Sequence, residues 1–274
     1  MSPRWLKIAT SACLAATAGC EPTRQAELIV PPPLSCLRPE PPVALAPPPL
    51  PPPVLPEQAP AGLSVEGRAI RCSVHGNGGA CVLILGGIHG DEPASVPICE
   101  QLRSFLERHP RLLAGRRVVV APATNPDGLA ANRRTNARGV DLNRNFDTTN
   151  RRAAQRYGLK PLSEPESRFI AELIDRYQPA RIVTIHQPLG CVDFDGPARD
   201  LAAAMSRACG LPVRKLGARP GSLGSFAGVD RQIPIVTLEL PSGATSLSDA
   251  EIWQRYGQAL LVAIQFRGGV ETAK

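Results

Sequence analysis

From Gly62 onward, short apolar runs alternate with amphipathic stretches. Residues 81–88, 117–121, 181–185 and 235–238 are β-branched, mostly apolar and short, which predicts buried strands. Residues 94–108, 164–177, 200–209 and 249–266 carry apolar positions at helical spacing and length. Pro93 and Pro165 suit first helical turns, with Ser163 read as a cap. Alternating strands and helices predict an α/β domain whose sheet is mostly parallel and covered by helices on both faces. No period of 20–50 residues is visible, which argues against a solenoid.

The first sixty residues break this pattern. Half of the 30 prolines lie between Pro22 and Pro60, in runs such as Pro31-Pro32-Pro33 and Pro51-Pro52-Pro53. Locked φ angles and missing backbone donors favour an extended polyproline II spacer, and thirty such residues reach roughly 90 Å. Ahead of it, Arg4 and Lys7 precede an apolar run too short to span a bilayer, the layout of a secretory signal. Thr17-Ala18-Gly19-Cys20 resembles a bacterial lipobox, although Thr17 stands where leucine is usual. The competing reading is an ordinary signal peptide cut nearby. The expected organisation is therefore a signal over 1–20, a spacer over 21–61 and a catalytic domain over 62–274. Lipidation of Cys20, with Glu21 rather than Asp after it, predicts a periplasmic enzyme anchored to the outer membrane.

Charge and cysteine content narrow the class further. Beyond residue 60 there are 27 basic and 20 acidic residues, and only three of the basic ones are lysine. With aromatic residues at 4% of the chain, a stacking platform for nucleic acid is not expected, and an anionic small substrate or envelope polymer fits better. Cys36, Cys72, Cys81, Cys99, Cys191 and Cys209 make an even set for an oxidising compartment. Cys72 and Cys81 flank a glycine-rich turn as a hairpin disulfide would, while buried free thiols remain the equal alternative.

The chemistry gathers at predicted strand ends, where open α/β sheets bind ligands. His89 and Glu92 follow the first strand, Asn125-Pro126-Asp127-Gly128 the second, His186 ends the third, and Glu239 lies at the end of the fourth. An imidazole and a carboxylate three residues apart are two ligands of a zinc site that needs a third and an open position. Singly, His186 reads as a core histidine and Glu239 as a cap or an ion-pair partner; together they outweigh those readings. Of the other histidines, His75 in a glycine-rich turn and His109 before a proline read as solvated. The loop Arg134 to Phe146 alternates arginine and asparagine around Gly139-Val140-Asp141-Leu142, which reads as a short buried strand aiming guanidinium groups at a carboxylate.

This ordered series resembles the zinc carboxypeptidases, and within them the murein peptide amidase A branch. The resemblance covers nearly all of residues 62–266. It implies a single domain with a mixed sheet of about eight strands, and one zinc ion held by His89, Glu92 and His186. It also implies that Arg134 polarises the scissile carbonyl, that Asn143 and Arg144 grip a terminal carboxylate, and that Glu239 is the general base. Digestive carboxypeptidases carry a mobile tyrosine before the catalytic glutamate, and none occurs here between His186 and Glu239. The segment from Pro220 to Phe226 instead resembles the amidase branch, so Ser222 and Gly224 are expected to line the specificity pocket. The implied substrate is the γ-D-glutamyl to meso-diaminopimelate amide of peptidoglycan stem peptides. Two other readings stay open: a deacylase of the aspartoacylase and succinylglutamate desuccinylase type, and an inactive murein-binding lipoprotein.

Overall fold

The computed structural model describes residues 61–268. The signal, the lipobox and nearly all of the spacer lie outside them. The central strands are β4 (Ala80–Leu85), β5 (Arg116–Ala121), β6 (Arg181–His186) and β8 (Ile235–Pro241), with β3 (Ser73–His75) and β7 (Leu189–Asp195) at the edges. Their order is β3-β5-β4-β6-β8-β7. The four central strands run parallel, and each edge strand is antiparallel to its neighbour. A separate ribbon pairs β1 (Ala61–Leu63) with β2 (Ala69–Arg71), so the expected eight strands are divided six and two.

Alternation along β4 explains the layering. Val82 and Ile84 pack into one core with Ile98, Leu102 and Leu106 of α1 (Ser95–Arg108) and with α4 (Arg199–Cys209) and α5 (Asp249–Gln265). Cys81, Leu83 and Leu85 face the opposite core, against Phe169, Ile170 and Leu173 of α3 (Pro165–Tyr177). Because both faces of β4 are covered, it reads as a continuous apolar run. α5 opens on a reciprocal cap between Ser248 and Glu251. Among the described residues no helix is long and apolar enough to cross a membrane.

Several local expectations need correction. β4 stops at Leu85 rather than running to residue 88, because Gly86 and the positive-φ Gly87 turn the chain towards α1. Ser163 does not cap α3; Glu164 holds that position, and the Ser163 hydroxyl donates to the Glu164 carboxylate. The segment 139–142 is no strand, since Asp141 accepts from Asn143 N–H and starts a tight turn over Leu142–Arg144. His75 is buried, bonded to Ser73 and paired in β3. β5 lies between β3 and β4, so Cys72 and Cys81 do not flank a hairpin, and Cys81, Cys99, Cys191 and Cys209 carry free thiols.

One close approach positions the site. A Cβ on Gly90 would overlap the Gly128 backbone, so the turn bearing His89 and Glu92 lies directly on the short helix α2 (Pro126–Ala130) that follows β5. Replacing Gly90 with Ala is expected to destabilise the fold by about 1–3 kcal/mol and to loosen metal binding, read by urea denaturation and zinc titration. Gly79→Ala, at an open position, is the control, and equal behaviour of the two variants would contradict the packing argument.

Candidate active site

The parallel strands deliver their carboxyl ends to one edge, where His89, Glu92 and His186 converge. His89 Nδ1 lies 2.8 Å from Glu92 Oε1, His186 Nδ1 lies 2.8 Å from Glu92 Oε2, and the two Nδ1 atoms are 3.2 Å apart. All three residues are buried. His89 Nε2 sits 3.2 Å from Asp141 Oδ1; donation of its N–H there leaves the Nδ1 lone pair facing the cluster. Two imidazole nitrogens turned toward each other and a carboxylate form a donor set suited to a cation, and among the described residues this is the one such cluster. Two histidines and a glutamate fit a catalytic zinc site with a position left open.

Backbone and side-chain braces hold the ligands. Asn125 donates from Nδ2 to Ile88 O and accepts from Gly128 N–H. Asp127 serves structure rather than chemistry, taking bonds from Ser64, Glu66 N–H and Arg68. Gln187 N–H donates to Glu92 Oε2, and the Gln187 side chain spans Ala94 N–H and Thr245. The Gln187 brace is invisible in the sequence, where an isolated glutamine after a histidine carries no signal.

Around the cluster lie the groups expected to handle substrate. Arg134 Nε donates to Asp141 Oδ2 at 3.0 Å, and its Nη1 lies 3.4 Å from Glu92. Asn143 Oδ1 accepts from Leu223 N–H at 2.9 Å, which leaves its NH₂ to donate. A Cβ on Gly221 would overlap the Arg144 carbonyl oxygen, so the 220s loop lies against the 142–144 turn. Glu239 is the register partner of His186 on the adjacent strand, and its Oε2 is buried with no hydrogen-bond partner. Ser222 and Gly224 lie on the same cleft, the Ser222 hydroxyl accepting from Ser225 N–H. All nine expected site residues line this one cleft of about 290 Å³.

Electrostatics divide the three acids. Burial raises the Glu239 carboxyl above its ordinary range, with a smaller push from the charge of Glu92. Burial acts the same way on Glu92, but the His186 and His89 imidazoles outweigh it and hold that carboxyl well below the usual range. For Asp141 burial is likewise overcome, by the His89 hydrogen bond and the charges of His89, Arg134 and Arg144. Glu92 in the cluster and Asp141 beside it are thus shifted toward the charged form, while Glu239 is shifted toward the protonated one.

The cleft also holds residues missing from the sequence expectations: Asp193 and Asp195 on β7, Arg219, and Thr237 on β8. The alternation Cys191-Val192-Asp193-Phe194-Asp195 is the period-two signal that identifies β7, with Val192 and Phe194 in the core. Asp195 pairs with Lys215 at 2.6 Å.

The profile of the zinc carboxypeptidase family matches residues 53–188. Murein peptide amidase A of Escherichia coli K12 is 38% identical over 178 residues, covering 58% of this chain and 70% of that protein. The Vibrio campbellii protein of the same name is 33% identical over 184 residues, covering 61% and 71%. The solved murein-tripeptide amidase of Escherichia coli O157 aligns with a TM-score of 0.58 at 28% identity, over 76% of this chain and 92% of that one. Carboxypeptidase A of Helicoverpa armigera aligns with a TM-score of 0.62 at 19% identity, over 75% and 66%, a likeness of fold alone. The chain belongs to the zinc carboxypeptidase family and is a metallocarboxypeptidase-type enzyme. Zinc is that family's metal, and the His89, Glu92 and His186 donors fit it.

Asp141 orients His89 and Arg134 together. Asp141→Asn is expected to weaken zinc binding by about 10–100-fold, measured by competition with a chromogenic chelator. Unchanged affinity would show that His89 needs no such partner.

Proposed function

We propose that this enzyme removes a carboxyl-terminal residue by hydrolysing the amide bond before it, the bond between γ-D-glutamate and meso-diaminopimelate in peptidoglycan stem peptides. The observation that carries the reaction type is the Glu239 carboxyl, whose buried Oε2 has no hydrogen-bond partner, beside the two-histidine, one-glutamate cluster, with Arg134, Asn143 and Arg144 on the same cleft. The two murein peptide amidases to which this chain is similar in sequence support the substrate class.

In this reading His89, Glu92 and His186 hold the metal. Bound there, zinc supplies Lewis acidity that makes water a nucleophile near neutral pH. Glu239 takes the proton from the attacking water and passes it to the leaving amine. Arg134 donates to the carbonyl oxygen as negative charge develops on it. The Asn143 amide and the Arg144 guanidinium hold the terminal carboxylate, which fixes the bond that is cut and makes the enzyme exo-acting. Burial and the like charge of Arg134 lower the Arg144 pKa, with Asp141 opposing them; an anionic substrate group relieves that strain.

Location fits the same reading. A lipidated Cys20 and a proline-rich spacer would hold the catalytic domain away from a membrane and facing murein. Cys20→Ser is expected to move the protein from the membrane to the soluble fraction of cells, and unchanged fractionation would contradict the anchor.

Protein lacking residues 1–60 is expected to release diaminopimelate from L-Ala-γ-D-Glu-meso-diaminopimelate in a chelator-sensitive reaction. Glu239→Gln should retain zinc and lose turnover by at least about 10²-fold. Hydrolysis of N-acetylaspartate or succinylglutamate instead would transfer the assignment to the deacylases. Zinc binding with no hydrolysis of either class would favour the inactive lipoprotein.

A further inference from the structure

Two charged side chains of the cleft have neither a part in the reaction as derived nor an ion pair among the described residues, and their signs are opposite. Asp193 is only 7% exposed, and its Oδ1 accepts from Leu216 N–H at 2.8 Å. Asp193 makes no ion pair among the described residues, unlike Asp195, whose charge is met by Lys215. Arg219 lines the same cleft with neither an ion pair nor a side-chain hydrogen bond among the described residues. The two face one cavity without meeting each other. A buried acid without an ion-pair partner is costly: burial and the nearby Asp195 push the Asp193 carboxyl above its ordinary range, outweighing the Leu216 and Phe194 N–H groups and the more distant charge of Lys215, which pairs with Asp195 instead. That cost points to a ligand cation.

Sheet register fixes where that cation would lie. Asp193 is the partner of Thr237, and Cys191 is the partner of Glu239; register partners present side chains on the same face of the sheet. Asp193 is therefore two residues along the strand from Glu239's partner, a displacement of about 7 Å. Gly224 borders this part of the cleft, where a Cβ would overlap Asp195 Oδ2. On the cationic side, Arg219 is near enough to Arg144 to contribute to lowering its pKa, so two guanidinium groups stand ready for two separate anionic groups.

We propose that Asp193 and Arg219 form a clamp for a leaving residue whose side chain itself ends in a zwitterionic amino-acid centre, Asp193 taking the ammonium and Arg219 the carboxylate. The clamp rests on the amidase reading above and assigns the residues that select its substrate. A second amino-acid centre four carbon-carbon bonds from the first lies about 5 Å from it when extended, a length compatible with the offset between Glu239 and Asp193. A lysine side chain would leave Arg219 facing an ammonium group. An aliphatic or purely acidic side chain would leave Asp193 buried and unpaired, so the site rejects as well as attracts.

The test uses three peptides, L-Ala-γ-D-Glu-X, in which X is meso-diaminopimelate, L-lysine without the distal carboxylate, or L-2-aminopimelate without the distal ammonium. The wild-type enzyme is expected to prefer meso-diaminopimelate over each of the others by about 10–100-fold in kcat/KM. Asp193→Asn should bring the ratio over aminopimelate towards unity while a preference over lysine persists, and Arg219→Gln should do the converse. Equal wild-type rates on the three peptides would overturn the clamp, as would variants that lower all three in proportion. If either variant does not fold, Asp193→Glu and Arg219→Lys, which keep the charges but displace them, are expected to reduce the same ratios, and unchanged ratios in them would overturn the clamp. Hydrolysis of N-acetylaspartate with no cleavage of any of the three peptides would instead overturn the amidase reading beneath it.

Discussion

On the parallel strands β6 and β8, His186 and Glu239 are register partners, so an imidazole of the His-Glu-His cluster and the Glu239 carboxyl stand side by side near the carboxyl ends of both strands. The arrangement needs the fold around it. Both strands are buried among apolar neighbours, and this low-dielectric setting raises the Glu239 carboxyl. A one-residue slip of β8 would turn Glu239 to the opposite face and Leu240 into the cleft. The covered faces of the sheet therefore specify the geometry of the candidate site as well as the stability of the domain.

Asp141 gives the rest of the site its order. One carboxylate meets His89 and Asn143 N–H through Oδ1 and Arg134 through Oδ2, joining the His-Glu-His cluster to the 142–144 turn. Asn143 then reaches Leu223 N–H, and Phe146 N–H reaches Gly221 O. The His-Glu-His cluster, the 142–144 turn and the loop lining the far side of the cleft are thus linked by consecutive hydrogen bonds. Such a network favours a preformed site over one assembled by substrate.

Much of this is legible in the sequence, and the limits have physical causes. The four central strands can be read because burial on both faces makes each a compact apolar run, and His89, Glu92, His186 and Glu239 because they fall at the ends of those runs, whereas Arg134, Asn143, Arg144, Ser222 and Gly224 lie outside the strands and follow only from the family resemblance. β7 escapes because Gly190 and two aspartates dilute its apolar content, although its alternation is regular. The segment 139–142 mimics a strand by the same alternation, while its aspartate is in fact a turn-forming acceptor. His75 looks solvated beside its glycines, yet its pairing with β5 buries it. Asp193 and Arg219 had no signal, since a lone acid and a lone arginine acquire meaning only when the topology brings them to one cavity.

The most direct measurement of the central claim is anomalous diffraction at the zinc edge from crystals of the domain. The account predicts one strong peak bounded by His89 Nδ1, the Glu92 carboxylate and His186 Nδ1, with Glu239 outside the ligand set. A peak at some other group of residues, or none at these three in zinc-saturated protein, would contradict it.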